Sequence, residues 1–397
     1  MRRLIPLVVL LCGAQAAHAQ ATQFVPASDG IKGAEKTDVE GWAPFLTLTA
    51  SGSLTDNKAV IGQVDGFSTL IGAGLAAGAD YVKGPHLWRN SFLLNESFAR
   101  TPVVDSFIKT NDAIKLESLY NYFLTKDLGL FGRLSITTSL FETTDVRGEQ
   151  TTWVLKNGDG TVSPISTGTR QHLSDSGKPL TLNESIGGFA DPYRKEWLNI
   201  SIRAGLGGRS TFADGVLLSS DDKATPEIEL VELSDVHQLG LEGFAGANGK
   251  LKGGKMSYVA GFSVLYPFVN NDSADRSAAR LTRLALEAAV TFQLYSWMSL
   301  VYNLNVIRDP QLFPAHQDRV EVQNNLLLTF NLTVVKKPEK AKEPTKEELE
   351  IKAQKDRADA AEKRATEAEE KLKAIESSVP PTPPPAETPA PAPTPAP

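Results

Sequence analysis

From Leu281 to Val306 the chain reads LTRLALEAAVTFQLYSWMSLVYNLNV. Leu284, Leu286, Ala288, Val290, Phe292 and Leu294 form one apolar row, and Arg283, Ala285, Glu287, Ala289, Thr291 and Gln293 form the other. A period of two is that of a strand, and two unlike rows imply two unlike solvents on its faces. After a tight turn at Tyr295-Ser296-Trp297 the pattern restarts, with Met298, Leu300, Tyr302, Leu304 and Val306 opposing Ser299, Asn303 and Asn305. Each run is about as long as a tilted strand that crosses a bilayer, on the order of 9–11 residues. Backbone polar groups find no water in oil, so strands cross only as a closed barrel. The hairpin therefore predicts two staves of an all-β membrane protein. The fold class is a closed antiparallel up-and-down β-barrel, apolar rows to lipid and polar rows to the lumen.

Strand-like stretches recur at 42–54, 67–80, 86–100, 112–126, 130–143, 180–190, 196–212, 236–249, 255–267, 281–294, 297–307 and 322–335. That is about 12 strands, an even number, as a bacterial barrel requires. Connections after odd strands are long: 55–66, 101–111, 144–179, 213–235, 268–280 and 308–321. Those after even strands are short: Val82 to Pro85, Asp127 to Gly129, Asp191 to Lys195, Lys250 to Gly254, and Ser296. Such alternation is what short periplasmic turns and longer external loops produce. Aromatic placement agrees. Trp42, Trp88, Trp197 and Trp297 open upward strands, and Tyr81, Tyr193 and Tyr295 close downward ones, so all seven fall on the short-turn rim at headgroup level.

The remaining segments bracket the barrel of residues 41–335. Residues 1–19 have the form of a signal peptide: Arg2 and Arg3, the apolar run Leu4 to Leu11, then Ala17-His18-Ala19. Its removal takes two of 41 Lys and Arg, moving the net charge from −6 to −8, and with it goes Cys12, the single cysteine. The mature chain then has no thiol for disulfides or cysteine metal sites. Nothing in this charge suggests nucleic acid. Residues 20–40 read as a flexible lead-in. Residues 336–378 are charged and alanine-rich, with Ile351, Gln354, Ala358, Ala361, Ala365, Ala368, Leu372 and Ile375 spaced by three and four. They predict a periplasmic α-helix, either alone or in a coiled coil. Residues 379–397 are proline-dominated and predict a disordered, extended tail.

Trp88-Arg89-Asn90, then Lys109-Thr110-Asn111-Asp112 before Ile114-Lys115-Leu116, with Gly41-Trp42 ahead of the first strand, add a resemblance. Over Gly41 to Val146 the chain resembles an uncharacterised family of bacterial outer-membrane β-barrels, known as a domain of unknown function. The resemblance implies the barrel and supplies no activity.

Charges on the polar rows are the lumen candidates: Lys115, Glu117, Arg133, Arg203, Arg283 and Glu287. They either frame a charged aqueous constriction or pair and plug the interior. Asp235-Val236-His237 at a strand's outer end, with His316 in the last long loop, is the one constellation able to orient a water. Rim polarity explains it as well, and no enzyme is expected. Asn157-Gly158-Asp159-Gly160 lacks the ligand spacing of a calcium loop and reads as a hairpin turn in the longest external loop. No metal or cofactor is expected. The functional expectation is an outer-membrane channel for small polar solutes. The alternative is a structural anchor whose residues 336–397 reach peptidoglycan or periplasmic proteins, and a barrel hydrolase using Asp235 and His237 is a distant third. Outer-membrane lipid and the barrel-insertion machinery are the expected partners in each case.

Overall fold

The computed structural model describes residues 40–57, 66–102, 104–157, 160–222, 224–312 and 320–335, and in the C-terminal segment residues 354–355, 357–358, 360–364, 366–367 and 370–371. The signal sequence, nearly all of the lead-in, the proline-rich tail and His316 lie outside these. The chain divides into two units, residues 1–339 and 340–397. In the second, every described residue is helical and exposed.

The first unit has sixteen strands among its described residues: β1 (Gly41–Asn57), β2 (Gly66–Lys83), β3 (His86–Thr101), β4 (Val104–Phe123), β5 (Leu128–Thr138), β6 (Thr143–Lys156), β7 (Val162–Ser174), β8 (Leu180–Lys195), β9 (Leu198–Phe212), β10 (Leu217–Ser219), β11 (Ile228–Glu232), β12 (Val236–Leu251), β13 (Met256–Asn270), β14 (Arg283–Tyr295), β15 (Met298–Arg308) and β16 (Glu321–Val335). Twelve close into a barrel in the order β1-β16-β15-β14-β13-β12-β9-β8-β5-β4-β3-β2. Every neighbouring pair in it is antiparallel, and the seam runs from Leu46↔Val335 to Gly52↔Leu328. Closure leaves no unpaired sheet edge to face lipid. Twelve strands about 4.8 Å apart and tilted about 40° make a backbone ring roughly 24 Å across.

Side chains follow the expected parity. Ile186, Leu241 and Leu332 are outward and 66%, 57% and 62% exposed, which in water would be an unusual surface and in lipid is the ordinary one. On β4, Leu116, Tyr120 and Tyr122 are exposed while Lys115, Glu117 and Asn121 are buried. The aromatics of the short-turn end pack in groups. Trp42 packs on Tyr81 and Trp88, Tyr193 on Trp197, and Tyr295 on Trp297, with centroids 5.0 to 6.0 Å apart.

Several boundaries differ from the sequence reading, among them the end of the fifth strand, which stops at Thr138 and not at 143. β4 starts at Val104, so most of the stretch read as a loop at 101–111 is strand, paired through Ile108 and Lys109 with β3. The turn after β8 lies at Glu196-Trp197, not across 191–195, because the strand continues through a register shift between Ala190 and Tyr193. Pro192 sits in that irregularity, where a missing N–H breaks no rung. The long connections 144–179 and 213–235 are not plain loops. They build a four-stranded sheet, β10-β11-β6-β7, in which β11 runs parallel to β6. Trp153, Leu173 and Leu230 form its buried centre, and the Trp153 indole donates to Asp145 at 2.9 Å. The hairpin expected at Asn157 is present, with Asn157 N–H donating to Thr161 O at 2.9 Å.

Aromatic rings from the inner wall lie over glycines of neighbouring strands. A Cβ on Gly129 would stand 2.2 Å from Tyr122 O and 2.5 Å from the Phe189 ring. Gly129→Val is therefore expected to destabilise the folded barrel by about 1–3 kcal/mol through overpacking. Urea unfolding in lipid vesicles would check it, and an unchanged midpoint would refute it.

Candidate functional site: the barrel lumen

All six lumen candidates face inward, and the structure brings only some of them together. Arg133 on β5 donates to Glu117 on β4 from Nε (3.2 Å) and Nη2 (3.1 Å), and Lys115 Nζ lies 3.4 Å from the same carboxylate. Arg133 Nη1 also reaches Glu242 on β12 at 3.5 Å, past two intervening strands. It can do so because the inward positions between are Ser185, Gly187, Gly205 and Gly207. A Cβ on Gly207 would stand 2.4 Å from a Glu242 carboxylate oxygen. Arg203 lies nearer the short-turn end, its guanidinium 5.9 Å from the Phe131 ring and 5.6 Å from that of Phe244. Glu287 is buried on β14, level with Asn305 and Gly261.

Toward the short turns the same side of the wall carries Val82, Leu87, Leu119, Phe123, Phe131 and Phe189, packed as one apolar cluster. Phe123 and Phe189 meet edge to face at 5.1 Å. Across the lumen the wall is different. β2 turns Gly72, Gly74, Ala76 and Gly78 inward, and β1 turns Thr47, Thr49 and Ser51 inward. With Asn303 on β15 and Asn331 on β16, these inner residues of β1 and β2 are half-buried, so the interior reaches them from the open side. Thr49 Oγ1 donates to Asn331 Oδ1 at 3.2 Å. The lumen is thus two-sided over its middle: charged and aromatic on one wall, small and polar on the other, until β2 nears the short turns, where Asp80 lies 3.9 Å from Arg89 and Val82 joins the apolar cluster.

The mouth at the long-loop end holds a strap, Asp309 to Leu312, that follows β15. Asp309 Oδ2 is 2.6 Å from Arg209 Nη1 on β9 and 3.2 Å from Arg283 Nε on β14. Gln311 accepts from Gln238 at 2.7 Å and donates to Asn271 at 2.8 Å. Leu312 packs with Ala213, Val216, Leu233 and Val236. Arg276 Nη1 donates to Pro310 O at 3.0 Å, and its guanidinium is held by Asp272 of the loop after β13. That loop ends in the short helix α1 (Ala278–Leu281), whose Leu281 is fully buried.

Arg209, Glu242, Gln238 and Asp309 were missed by sequence reasoning. Arg209 continues the inward row of Asn199, Ser201 and Arg203, so parity alone would have found it. Asp309 sits in a connection, where parity says nothing.

The Asp235–His237 pair is not assembled as a dyad. The Asp235 carboxylate accepts from the backbone N–H of Ala213 at 2.7 Å and of Asp214 at 3.1 Å, while His237 Nδ1 meets Ser210 Oγ at 3.1 Å. The Lys109–Asp112 block has a structural task. Asp112 is fully buried on the outer side of β4 and accepts from Leu140 N (2.6 Å) and Phe141 N (2.8 Å), while Lys109 bridges it to Phe141 O and Thr143. The end of β5 is thereby tied to β4. Among the described residues no cluster of His, Cys, Asp or Glu could hold a metal.

Residues 66–143, from β2 to the start of β6, match the family model described as "Protein of unknown function (DUF3078)". No curated protein matches the chain in sequence. Solved structures to which it is similar include the β domain of the Bordetella autotransporter BrkA, at 12% identity over 74% of this chain and 99% of that one, TM-score 0.32. The translocator domain of the autotransporter NalP from Neisseria meningitidis is 11% identical over 76% and 91%, TM-score 0.35. An outer-membrane channel from Pseudomonas putida F1 is 12% identical over 76% and 97%, TM-score 0.32. TM-scores this low assign neither activity nor substrate. The closed ring with its outward apolar belt makes this an outer-membrane β-barrel on its own geometry.

Two predictions follow from these contacts. Glu117→Ala removes the partner shared by Arg133 and Lys115, and should destabilise the barrel by about 1–3 kcal/mol, allowing for the water Arg133 still meets. Adding Arg133→Ala should restore part of that loss, and a double-mutant cycle on unfolding midpoints would measure the coupling. The second concerns Asp272, whose carboxylate is held below its usual range by hydrogen bonds from the Arg276 side chain and backbone. A lowered folded value means stability that is complete above the unfolded value and lost as pH falls through the folded one. The stability gap between the native chain and Asp272→Asn should thus shrink as pH drops from about 5 toward 2. Thermal unfolding across that range would test it, and a gap independent of pH would contradict it.

Proposed function

We propose that this protein is a narrow outer-membrane channel for small polar solutes, resting in a constricted state. The observation that carries the reading is the two-sided lumen. A wall of Gly, Ala, Thr, Ser and Asn faces a wall where Arg133 spans Glu117 and Glu242. Small polar residues give a solute hydroxyl and amide contacts without filling the path. Fixed charges of both signs across a constriction sort solutes by charge. The reading assigns no catalytic step to Asp235 and His237, because the Asp235 carboxylate is engaged by backbone amides.

A second reading has its own support. The apolar cluster at one end and the strap at the other both fill space, which suits a sealed barrel that anchors residues 336–397 toward peptidoglycan or periplasmic proteins. Both readings place the chain in outer-membrane lipid through the insertion machinery, with the C-terminal segment on the periplasmic side.

Planar-bilayer recording separates them. The channel reading expects a small ohmic conductance from the purified full chain, abolished by Ala76→Trp on the small-residue wall while the barrel stays folded. If the full chain is silent, and deletion of residues 336–397 instead releases the envelope from the wall, the anchor reading replaces it.

A further inference from the structure

Arg209 and Arg283 stand on β9 and β14, with β12 and β13 between them, so they are not cross-strand neighbours. Both nevertheless aim at one point. Asp309 Oδ2 receives Arg209 at 2.6 Å and Arg283 at 3.2 Å. The arginines belong to the rigid wall, and Arg209 is further oriented by its Nε donating to Thr211 Oγ1 at 3.2 Å. The carboxylate comes from a connecting segment. Arg209 and Asp309 are each 4% exposed in their side chains, whereas Arg283 is 22% exposed and still meets the lumen.

We propose that Arg209 and Arg283 form a binding subsite for a small carboxylate anion, and that Asp309 is its built-in occupant. The proposal rests on the channel reading and deepens it by naming the solute class. Two guanidinium groups converging on one buried point repel one another unless an anion lies between them. Guanidinium N–H groups pair strongly with carboxylate oxygens, and here both arginines reach one oxygen of the carboxylate that the strap supplies. In this cluster two arginines are set against one aspartate. The strap's other ties involve neutral partners, Gln311 to Gln238 and Asn271, and the Arg276 contact to a backbone carbonyl. A solute carboxylate taking the place of Asp309 would therefore exchange one anion for another and leave the wall unchanged. In that exchange the strap is the autoinhibitory element.

The test uses the full chain in detergent micelles and succinate as probe. Asp309→Ala should bind succinate about tenfold more tightly than the native chain by titration calorimetry, since the clamp is then vacant. Adding Arg209→Gln and Arg283→Gln in that background should abolish the gain. Folding is checked by heat-modifiable migration on gels, and Asp309→Asn, which keeps the volume, serves if the alanine variant does not fold. Should the vacated variant bind no more tightly than the native chain, or should the triple variant bind as well, the subsite is overturned. Bilayer recording keeps this apart from the channel reading. Conduction with a reversal potential shifted toward anions in Asp309→Ala supports both. Succinate binding in a barrel that never conducts retains the clamp and removes the channel.

Discussion

An amide in hydrocarbon has nothing to bond with except another amide, and the whole fold answers to that. Twelve strands satisfy one another only by going full circle, so the β1–β16 seam is as necessary as any hairpin. Once the ring is shut, the usual arrangement of a soluble protein is inverted. Leu, Ile and Phe stand outside, and Lys115, Glu117, Arg203 and Glu287 are buried within. Buried charges need partners, and the ring geometry puts those partners on other strands instead of nearby in sequence.

The interior shows how a barrel of intermediate size handles its space. Twelve strands enclose more room than side chains on a single wall can fill, and less than a wide porin leaves open. Here large residues crowd one side, and glycine or alanine line the other. Glycines also let contacts pass: Arg133 reaches Glu242 across β8 and β9 because the intervening positions carry little or no side chain. The same lack of side chains allows Phe189 to lie over Gly129. Packing and passage are thus two uses of one residue pattern.

Much of this is legible in the sequence. Period-two rows such as Leu284 to Leu294 located strands and faces, because lipid and lumen impose opposite chemistry on alternate residues. The alternation of short and long connections separated the two ends of the barrel. What was not legible depends on contacts remote in sequence. The sheet β10-β11-β6-β7 joins two connections separated by β8 and β9, and its parallel β11–β6 pairing has no local signature. The turn after β8 was misplaced because Asp191-Pro192 resembles a turn start, while the strand absorbs it as an irregularity. In the lumen, Glu117 and Arg133 were named from parity. The Asp309 clamp was not, since a connecting segment has no period to betray which way it points. Glycine-rich β2 and β12 gave weak patterns for the very reason that makes them useful inside.

The closing seam has one more implication. Among the described residues β1 and β2 are joined by seventeen residue pairs and β1 and β16 by seven, the fewest between any two neighbours in the ring. A hoop with one lightly stitched joint has a built-in place to unzip and to zip. Membrane assembly can add the other eleven joints hairpin by hairpin and leave this one for last.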